Sequence, residues 1–264
     1  MREREHAEVL RLCHLNPSIG SGTDELLSLK VLAIIPARGG SKGIPRKNLR
    51  EVNGVPLVAH TIRAAQESKF VERTIVSTDD EEIAKVASHA GAEVPFMRPG
   101  ELATDLATLD SVVDHVLDSL LAGEGYEPNA HMILQPTNPL RVARHIDEAV
   151  QLLVDRHAGS VVSVSPPSEH PAEMAVFDNG KIRFPCAAGA FESGIQRQAY
   201  EPYLFVNGAI YLTSTDAYRT QKKRLAEPVY PYIMDRIDGF DIDEPDDLLI
   251  ADILMRNHPP KTTQ

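Results

Sequence analysis

The sequence predicts an α/β fold built on a mostly parallel sheet. Short apolar segments alternate with amphipathic segments of helical period along most of the 264 residues. The first apolar segment, residues 31–35, has no polar alternation, which is typical of a strand buried on both faces. A basic, glycine-rich loop follows it directly. Because ligands of such folds bind at the carboxyl ends of parallel strands, this loop is the first place to expect a site.

The other elements follow from hydrophobic period and turn residues. Helices are expected from Pro56 onwards, after a capping box at residues 78–81, and at residues 111–121, 146–154 and 245–256. Strands are expected at residues 31–35, 74–76, 94–97, 132–134, 161–164 and 206–212, with a strand end at 240–243.

Two segments stand apart from this alternation. Asn179-Gly180 between apolar residues predicts a hairpin within a small inserted subdomain at residues 165–203. Residues 1–29 are interpreted as an N-terminal extension, expected to be partly disordered, with a functional element as the alternative. The domain itself is expected to cover residues 30–264.

The charge distribution predicts a small anionic ligand. The formal net charge of -11 argues against a general nucleic-acid or membrane-surface partner, which would need an extended basic face. Against this background, residues 38–50 contain five cations and no carboxylate. A local positive pocket is therefore expected there.

The cysteines and the N-terminus predict a cytoplasmic location. Cys13 and Cys186 are far apart and form neither a disulfide framework nor a CxxC pair. The first residues, MREREHAEV, alternate charges where a secretory signal would be apolar, and no run approaches the length of a membrane span.

The basic loop suits a polyphosphate, and a nucleoside triphosphate is the natural candidate. Small residues let the backbone approach a ligand, Arg38 supplies a forked donor pair and Lys42 a compact charge. The loop is neither a Walker A motif nor GxGxxG. The alternative is a basic loop that simply faces water.

Two carboxylates form a second candidate site. Asp241 and Asp243 flank Ile242, so in an extended backbone both project to one side while Ile242 packs inward. Such a pair suits Mg²⁺, or Mn²⁺ in its place, completed by water and substrate phosphates. The alternative is an acidic start of the helix that follows.

Residues 135–141, QPTNPLR, follow a strand and carry amide, hydroxyl and guanidinium groups apt for a base or a sugar. An ordinary turn with an N-cap is the alternative. The ten histidines show no metal-ligand spacing and are interpreted as surface or structural residues.

Several blocks in order now carry a resemblance: PARGGSKGIPRKN, IVSTDDEEIA, GAEVPFMRPGELATD, LQPTNPLR, NGAIYL and DIDEPDDL. Over residues 30–254 the sequence resembles the N-acylneuraminate cytidylyltransferases, the CMP-sialic acid synthetases, including relatives acting on legionaminic and pseudaminic acids. The resemblance implies a three-layer, Rossmann-like nucleotidyltransferase core and a homodimer formed by a protruding hairpin subdomain at residues 165–203, which also caps the substrate.

The resemblance also implies roles for individual residues. It places Arg38, Lys47, Asp241 and Asp243 in catalysis, the two aspartates as metal ligands. It implies contacts with CTP or the sugar at Ala37, Arg38, Gly39, Ser41, Lys42, Lys47, Asn48, Arg98, Gln135, Thr137, Asn138, Arg197, Gln198 and Tyr211. Arg197 would lie near the acidic sugar.

The sequence departs from the family in the substrate region. His170-Pro171 is followed by Ala172 and Glu173, where some relatives have a lysine. Phe205 replaces an arginine common in the sialic acid enzymes, and Leu106 and Leu109 replace small hydroxyl residues.

The activity that the resemblance implies is transfer of CMP from CTP to the anomeric hydroxyl of a nine-carbon α-keto acid sugar, with release of pyrophosphate. The alternatives are an enzyme for a shorter keto acid sugar of the 3-deoxy-octulosonate type and a non-catalytic nucleotide-binding relative. The acceptor sugar and the general base stay open.

Overall fold

The computed structural model describes residue 26, residues 28–184 and residues 203–257. The helices are α1 (Leu57–Gln66), α2 (Glu81–His89), α3 (Leu109–Glu124), α4 (Ala143–Asp155), α5 (Thr215–Gln221) and α6 (Pro245–Asn257). The strands are β1 (Val31–Pro36), β2 (Glu51–Val52), β3 (Val55–Pro56), β4 (Val71–Ser77), β5 (Ala130–Ile133), β6 (Ser160–Ser165), β7 (Val176–Asp178), β8 (Lys181–Arg183), β9 (Phe205–Ser214) and β10 (Val229–Ile233).

Six strands form one sheet in the order β10-β6-β9-β5-β1-β4. β1 pairs in parallel with β4 and β5, and β10 pairs in parallel with β6. Among the described strands of this sheet, β9 alone runs antiparallel to its neighbours, β5 and β6. The predicted α/β class with a mostly parallel sheet is confirmed.

The sheet is the middle of three layers, and β1 shows why. Alternate residues of a strand face opposite sides, so Val31, Ala33 and Ile35 pack into a core with α1, α2 and α4. Leu32 and Ile34 pack into a second core with α3 and α5. Both sets are fully buried, so the uninterrupted apolar run is required by the two covered faces.

A smaller third core lies beneath α6, around Leu57, Leu140 and Ile242. It joins α6 to the segments that follow β1 and β5. Leu26, at the end of the expected N-terminal extension, is 6% exposed and packs into the first core. Residues 1–25 and residue 27 lie outside the described residues.

Two strand predictions are wrong. In the described chain, residues 94–97 form no strand, and the sheet edge is touched there only by a bridge between Ile75 and Glu93. Pro95 explains this, since it lacks the N–H that a further ladder bond needs. Residues 240–243 also form no strand, because Ile242 N–H donates to Thr137 O in a loop and not to a neighbouring strand.

The hairpin prediction is confirmed. β7 and β8 pair antiparallel, with Phe177 opposite Ile182, and the turn holds Asn179 and Gly180 at positive φ. The rest of the inserted segment, residues 185–202, lies outside the described residues. No described helix is long and apolar enough to span a membrane.

Candidate active site

A cavity opens at the edge of the sheet where β1, β4 and β5 end. Its lining includes Arg38 and Lys47 from the basic loop, Arg98 from the segment after α2, and Gln135 and Thr137 from the segment after β5. With Asn48, six residues that the sequence assigned to substrate binding therefore meet around one cavity. They come from three separate segments, as the edge of a parallel sheet allows.

Hydrogen bonds between the main chain of the basic loop and two side chains, those of Asp79 and Asn48, hold the loop in place. Gly39 N–H donates to Asp79 Oδ1 at 2.9 Å, and Asn48 Nδ2 donates to Arg38 O at 2.9 Å. A Cβ at Gly39 would lie 2.9 Å from the Cβ of Asp80, so a glycine is needed for this approach. Asn48 thus lines the cavity and also fixes the backbone of Arg38.

Three further predicted contacts differ in accessibility. Ala37 is buried, and its N–H donates to Ser77 O at 3.0 Å. Ser41 is half-buried, and Lys42 is exposed.

The cations of the loop meet carboxylates from other parts of the chain. Asp105 accepts both Arg38, at 2.8 Å, and Lys42, at 2.7 Å. Arg46 pairs with Glu82 at 2.8 Å. Sequence reasoning gave Asp105 no role, because it lies more than 60 positions from its partners and the signal was only its place in the ELATD block.

Lys47 connects the basic loop to the two aspartates. Its Nζ donates to Ile242 O at 2.8 Å and lies 3.5 Å from Asp243 Oδ1. Gly43 lets the basic loop lie against the main chain of Asp243, since a Cβ at residue 43 would lie 2.9 Å from Asp243 O. The two candidate sites of the sequence are therefore one site.

The carboxylate pair has the alternation that the sequence predicted. Ile242 is fully buried, whereas Asp241 is half-buried and Asp243 exposed. Burial raises the pKa of the Asp241 carboxyl and the nearby Asp243 adds to this, while the Thr137 hydroxyl, Lys47 and the Ile242 main chain oppose it. Asp241 Oδ1 is buried and accepts no hydrogen bond from a described residue.

This donor set fits a magnesium ion better than a zinc ion. The described residues contain no group of three or more His, Cys, Asp or Glu side chains that could hold a metal. Mg²⁺ binds through one or two carboxylates and keeps water and phosphate oxygens as its other ligands. Asp241, with its buried oxygen without a donor, and the exposed Asp243 meet that requirement.

Arg98 is a buried cation in the cavity wall. Its guanidinium donates to Ser77 Oγ at 3.0 Å and to Ser77 O. Burial lowers its pKa to about 10, and Arg38 adds to this, while Asp79 opposes it. Arg98 therefore stays charged at neutral pH and contributes a fixed positive potential.

Asn138 faces the protein interior. Its side chain is fully buried, and Nδ2 donates to Asn207 O at 3.1 Å and to Phe240 O at 3.3 Å. These bonds fix the segment that leads into the two aspartates.

Arg141, at the end of the same segment, is also turned inward. It is fully buried and donates to Ala209 O at 2.7 Å, Thr61 Oγ1 at 2.7 Å and Gln135 O at 3.2 Å. Burial lowers its pKa to about 9. Arg141 thus holds the backbone from which the Gln135 side chain reaches the cavity.

Tyr211 lies on β9, half-buried, with the guanidinium carbon of Arg224 5.0 Å from its ring centroid. Burial raises the pKa of its phenol and the Asp241 carboxylate adds to this, while Arg224 opposes it. Tyr211 is therefore within electrostatic range of the metal-ligand candidate.

Other predicted positions fall elsewhere. Arg197 and Gln198 lie outside the described residues. Of the positions that depart from the family, Leu109 lines the cavity, whereas Leu106 and Phe205 are exposed.

Known proteins are similar to this chain in sequence. Residues 32–179 match a family model described as cytidylyltransferase. The CMP-N,N'-diacetyllegionaminic acid synthase of Legionella pneumophila is 37% identical over 86% of this chain and 97% of its own length. An N-acylneuraminate cytidylyltransferase of Streptococcus agalactiae is 33% identical over 84% of this chain, which spans 52% of that protein.

The fold has solved counterparts. A CMP:2-keto-3-deoxy-manno-octonic acid synthetase, solved with CTP, superposes with a TM-score of 0.64 at 20% identity over 86% of this chain and 99% of its own. The fold is Rossmann-like, and the family match and the curated relatives define the chain as a nucleotidyltransferase. The chain belongs to the cytidylyltransferase family.

Replacing Gly43 with Ala should lower kcat/KM at least about 10-fold, because the added methyl pushes the basic loop away from Asp243 and small displacements of catalytic groups are expensive in rate. Steady-state kinetics with CTP and an acceptor sugar measure the effect. Gly40→Ala is the control, since nothing lies within 4 Å of a Cβ there. Equal activity of the two variants would contradict the prediction.

Proposed function

We propose that this protein transfers CMP from CTP to the anomeric hydroxyl of a nine-carbon α-keto acid sugar and releases pyrophosphate. The observation that carries the proposal is the joining of the basic loop to the aspartate pair through Lys47. The names of the relatives, acting on legionaminic and neuraminic acids, support the substrate class.

In this reaction the anomeric hydroxyl loses its proton to a base, and its oxygen forms a bond to the α-phosphorus of CTP. The bond from that phosphorus to its bridging oxygen breaks, and pyrophosphate leaves with the electron pair. Arg38, Lys42 and Lys47 bind the triphosphate and offset the charge that collects on pyrophosphate. Arg98 adds a buried charge that needs no rearrangement during the reaction.

Asp241 and Asp243 would hold the divalent cation, which supplies charge neutralisation at the phosphates when bound. The chain itself positions that pair. Asn138 fixes the main chain of Phe240, and Lys47 fixes that of Ile242. The remaining predicted contacts, Ala37, Gly39, Ser41, Asn48, Gln135, Thr137 and Tyr211, are assigned to CTP or the sugar.

The acceptor must bring a second anion next to a triphosphate in a chain of net charge -11. A local cation is needed to offset that repulsion, and we assign Arg197 to the carboxylate of the sugar, with Gln198 beside it. Glu173 stands where some relatives have lysine, so we propose that the pocket favours a bacterial acid such as legionaminic acid over N-acetylneuraminate.

We propose that the enzyme is a homodimer that works in the cytoplasm. The β7–β8 hairpin leaves Phe177 78% and Ile182 66% exposed, and Met174, just before β7, is 49% exposed. An isolated two-stranded hairpin has little core of its own. A second copy of the chain would cover this surface.

Replacing Asp243 with Asn should lower kcat about 10²-fold or more and weaken Mn²⁺ binding, since one charged ligand is lost. Kinetics and a Mn²⁺ titration measured by electron paramagnetic resonance test this. Asp246→Asn is the matched control, with the same charge change in the first turn of α6. Turnover that survives excess chelator would refute the metal assignment.

A side-by-side comparison of kcat/KM for neuraminate, legionaminate, pseudaminate and octulosonate acceptors tests the substrate. We expect legionaminate to be the best and octulosonate the poorest, with Arg197→Ala losing most activity on all four. A preference for octulosonate would favour the shorter-sugar alternative. No pyrophosphate release with any acceptor would favour a non-catalytic relative.

Replacing Phe177 with Glu should shift the protein from dimer to monomer in sedimentation at micromolar concentration, because a charge would be buried in the apolar interface. Leu249→Glu is the control, since Leu249 on α6 is similarly exposed, at 64%, but lies outside the hairpin. A wild-type monomer, or an unchanged dimer in Phe177→Glu, would contradict the assignment.

A further inference from the structure

The carboxylate of Asp105 forms ion pairs with the first two cations of the basic loop, Arg38 and Lys42. Asp105 Oδ1 lies 2.8 Å from an Arg38 nitrogen, and Asp105 Oδ2 lies 2.7 Å from Lys42 Nζ. Each carboxylate oxygen thus takes one cation. Lys42, and next Arg38, hold the pKa of the Asp105 carboxyl below its usual value, so the carboxylate is ionised at neutral pH.

Asp105 belongs to a loop that forms one wall of the cavity. The loop runs from the 3₁₀ turn Gly100–Leu102 to the start of α3, and Thr104, Ala107 and Thr108 from it line the cavity. Its neighbour Leu106 is 93% exposed, so that side chain adds no packing that would anchor the tip of the loop. The tip is held by a turn, in which Ala107 N–H donates to Thr104 O at 3.3 Å, and by the two ion pairs of Asp105.

The arrangement has the chemistry of a bound phosphate group. Two anionic oxygens on one centre each accept from one cation, as two oxygens of a phosphate would. The pairs are also solvent-exposed, with 81% of the Lys42 side chain and 42% of the Asp105 side chain accessible. Exposed ion pairs are weak, so a triphosphate of higher charge can displace this one.

We propose that Asp105 is an internal stand-in for a phosphate group, which CTP must displace from Arg38 and Lys42 and which returns as pyrophosphate leaves. The proposal rests on the proposed function for the identity of the nucleotide, but the competition itself concerns any polyphosphate. Asp105 therefore weakens the binding of CTP and of pyrophosphate, and it speeds the release of the product. It is a positioning residue that sets the affinity of the site.

The test is calorimetric binding of inorganic pyrophosphate and of CTP, with Mg²⁺ present, to wild type and Asp105→Asn. Removing the competing charge should lower both dissociation constants about 3- to 30-fold, the range expected for the loss of two exposed pairs. Glu101→Gln is the matched control. It makes the same charge change in the same loop, and in the described chain Glu101 forms no ion pair with Arg38 or Lys42. Its dissociation constants should change less than about twofold.

A double-mutant cycle distinguishes displacement of Asp105 by the ligand from a general change in the electrostatic potential of the cavity. In a Lys42→Ala background the gain from Asp105→Asn should shrink, because half of the competing contact is already gone. A gain of the same size in both backgrounds, or an equal gain in Glu101→Gln, would overturn the proposal. Weaker binding in Asp105→Asn would also overturn it, showing that Asp105 organises the cations for the ligand.

Failure of the proposed function looks different. If wild type releases no pyrophosphate from CTP with any acceptor, the function fails. The inference then still stands or falls on the pyrophosphate titration alone. Equal pyrophosphate binding by wild type and Asp105→Asn refutes the inference whatever the enzyme turns over.

Discussion

The main chain of Ile242 is the point on which the site depends. Its N–H donates to Thr137 O, its carbonyl accepts from Lys47 Nζ, and its side chain is buried in the core beneath α6. Three segments that are far apart in sequence are thereby fixed to one residue. Because Asp241 and Asp243 flank this anchor, their carboxylates are placed relative to the basic loop by the Lys47 bond to the main chain of Ile242 and by core packing.

Charge is the second constraint, because the site gathers cations in a small volume. The structure deals with exposed and buried cations differently. Arg38 and Lys42 meet a carboxylate that a ligand can replace. Arg98 and Arg141 are buried against carbonyl and hydroxyl oxygens, so their charge is solvated by dipoles that no ligand needs to displace. The exposed cations can exchange the carboxylate for a ligand, while the buried cations keep the electrostatic potential of the site positive.

The sequence predicted what depends on local pattern and missed what depends on distant partners. The apolar run of β1 and the Asn179-Gly180 turn are local signals, and the structure contains both. α2 is also capped, but by Asp80, which accepts from Glu82 N–H and Ile83 N–H, and not by the box expected at residues 78–81. The failures at residues 94–97 and 240–243 have separate causes. Pro95 lacks the N–H that a ladder bond needs, whereas the N–H of Ile242 is taken by Thr137 O in a loop. β10 and α5 were not predicted.

The site shows the same division between chemistry and partners. Residue types identified the basic loop and the aspartate pair, but they could not show that Asn138 and Arg141 turn inward. A polar side chain that follows a strand can hydrogen-bond either to a ligand or to the protein backbone. Which one it takes is decided by unpaired carbonyls elsewhere, here those of Phe240 and Ala209. The sequence did not predict a role for Asp105 for the same reason, because only the fold brings Asp105 next to Arg38 and Lys42.

Of the departures from the family, Leu109 lies in the cavity wall and not at the anchored centre. Leu109 lines the cavity at the start of α3, where an apolar side chain offers contact area but no hydrogen bond. Thr108 beside it uses its hydroxyl to cap the helix, accepting from Ser111 N–H at 3.1 Å. Polar recognition on this wall must therefore come from other groups, such as Arg98 and Gln135, which line the same cavity. Wall residues can vary in this way without moving Ile242, so the ligand preference of such a site can change while the geometry of phosphate and metal binding is kept.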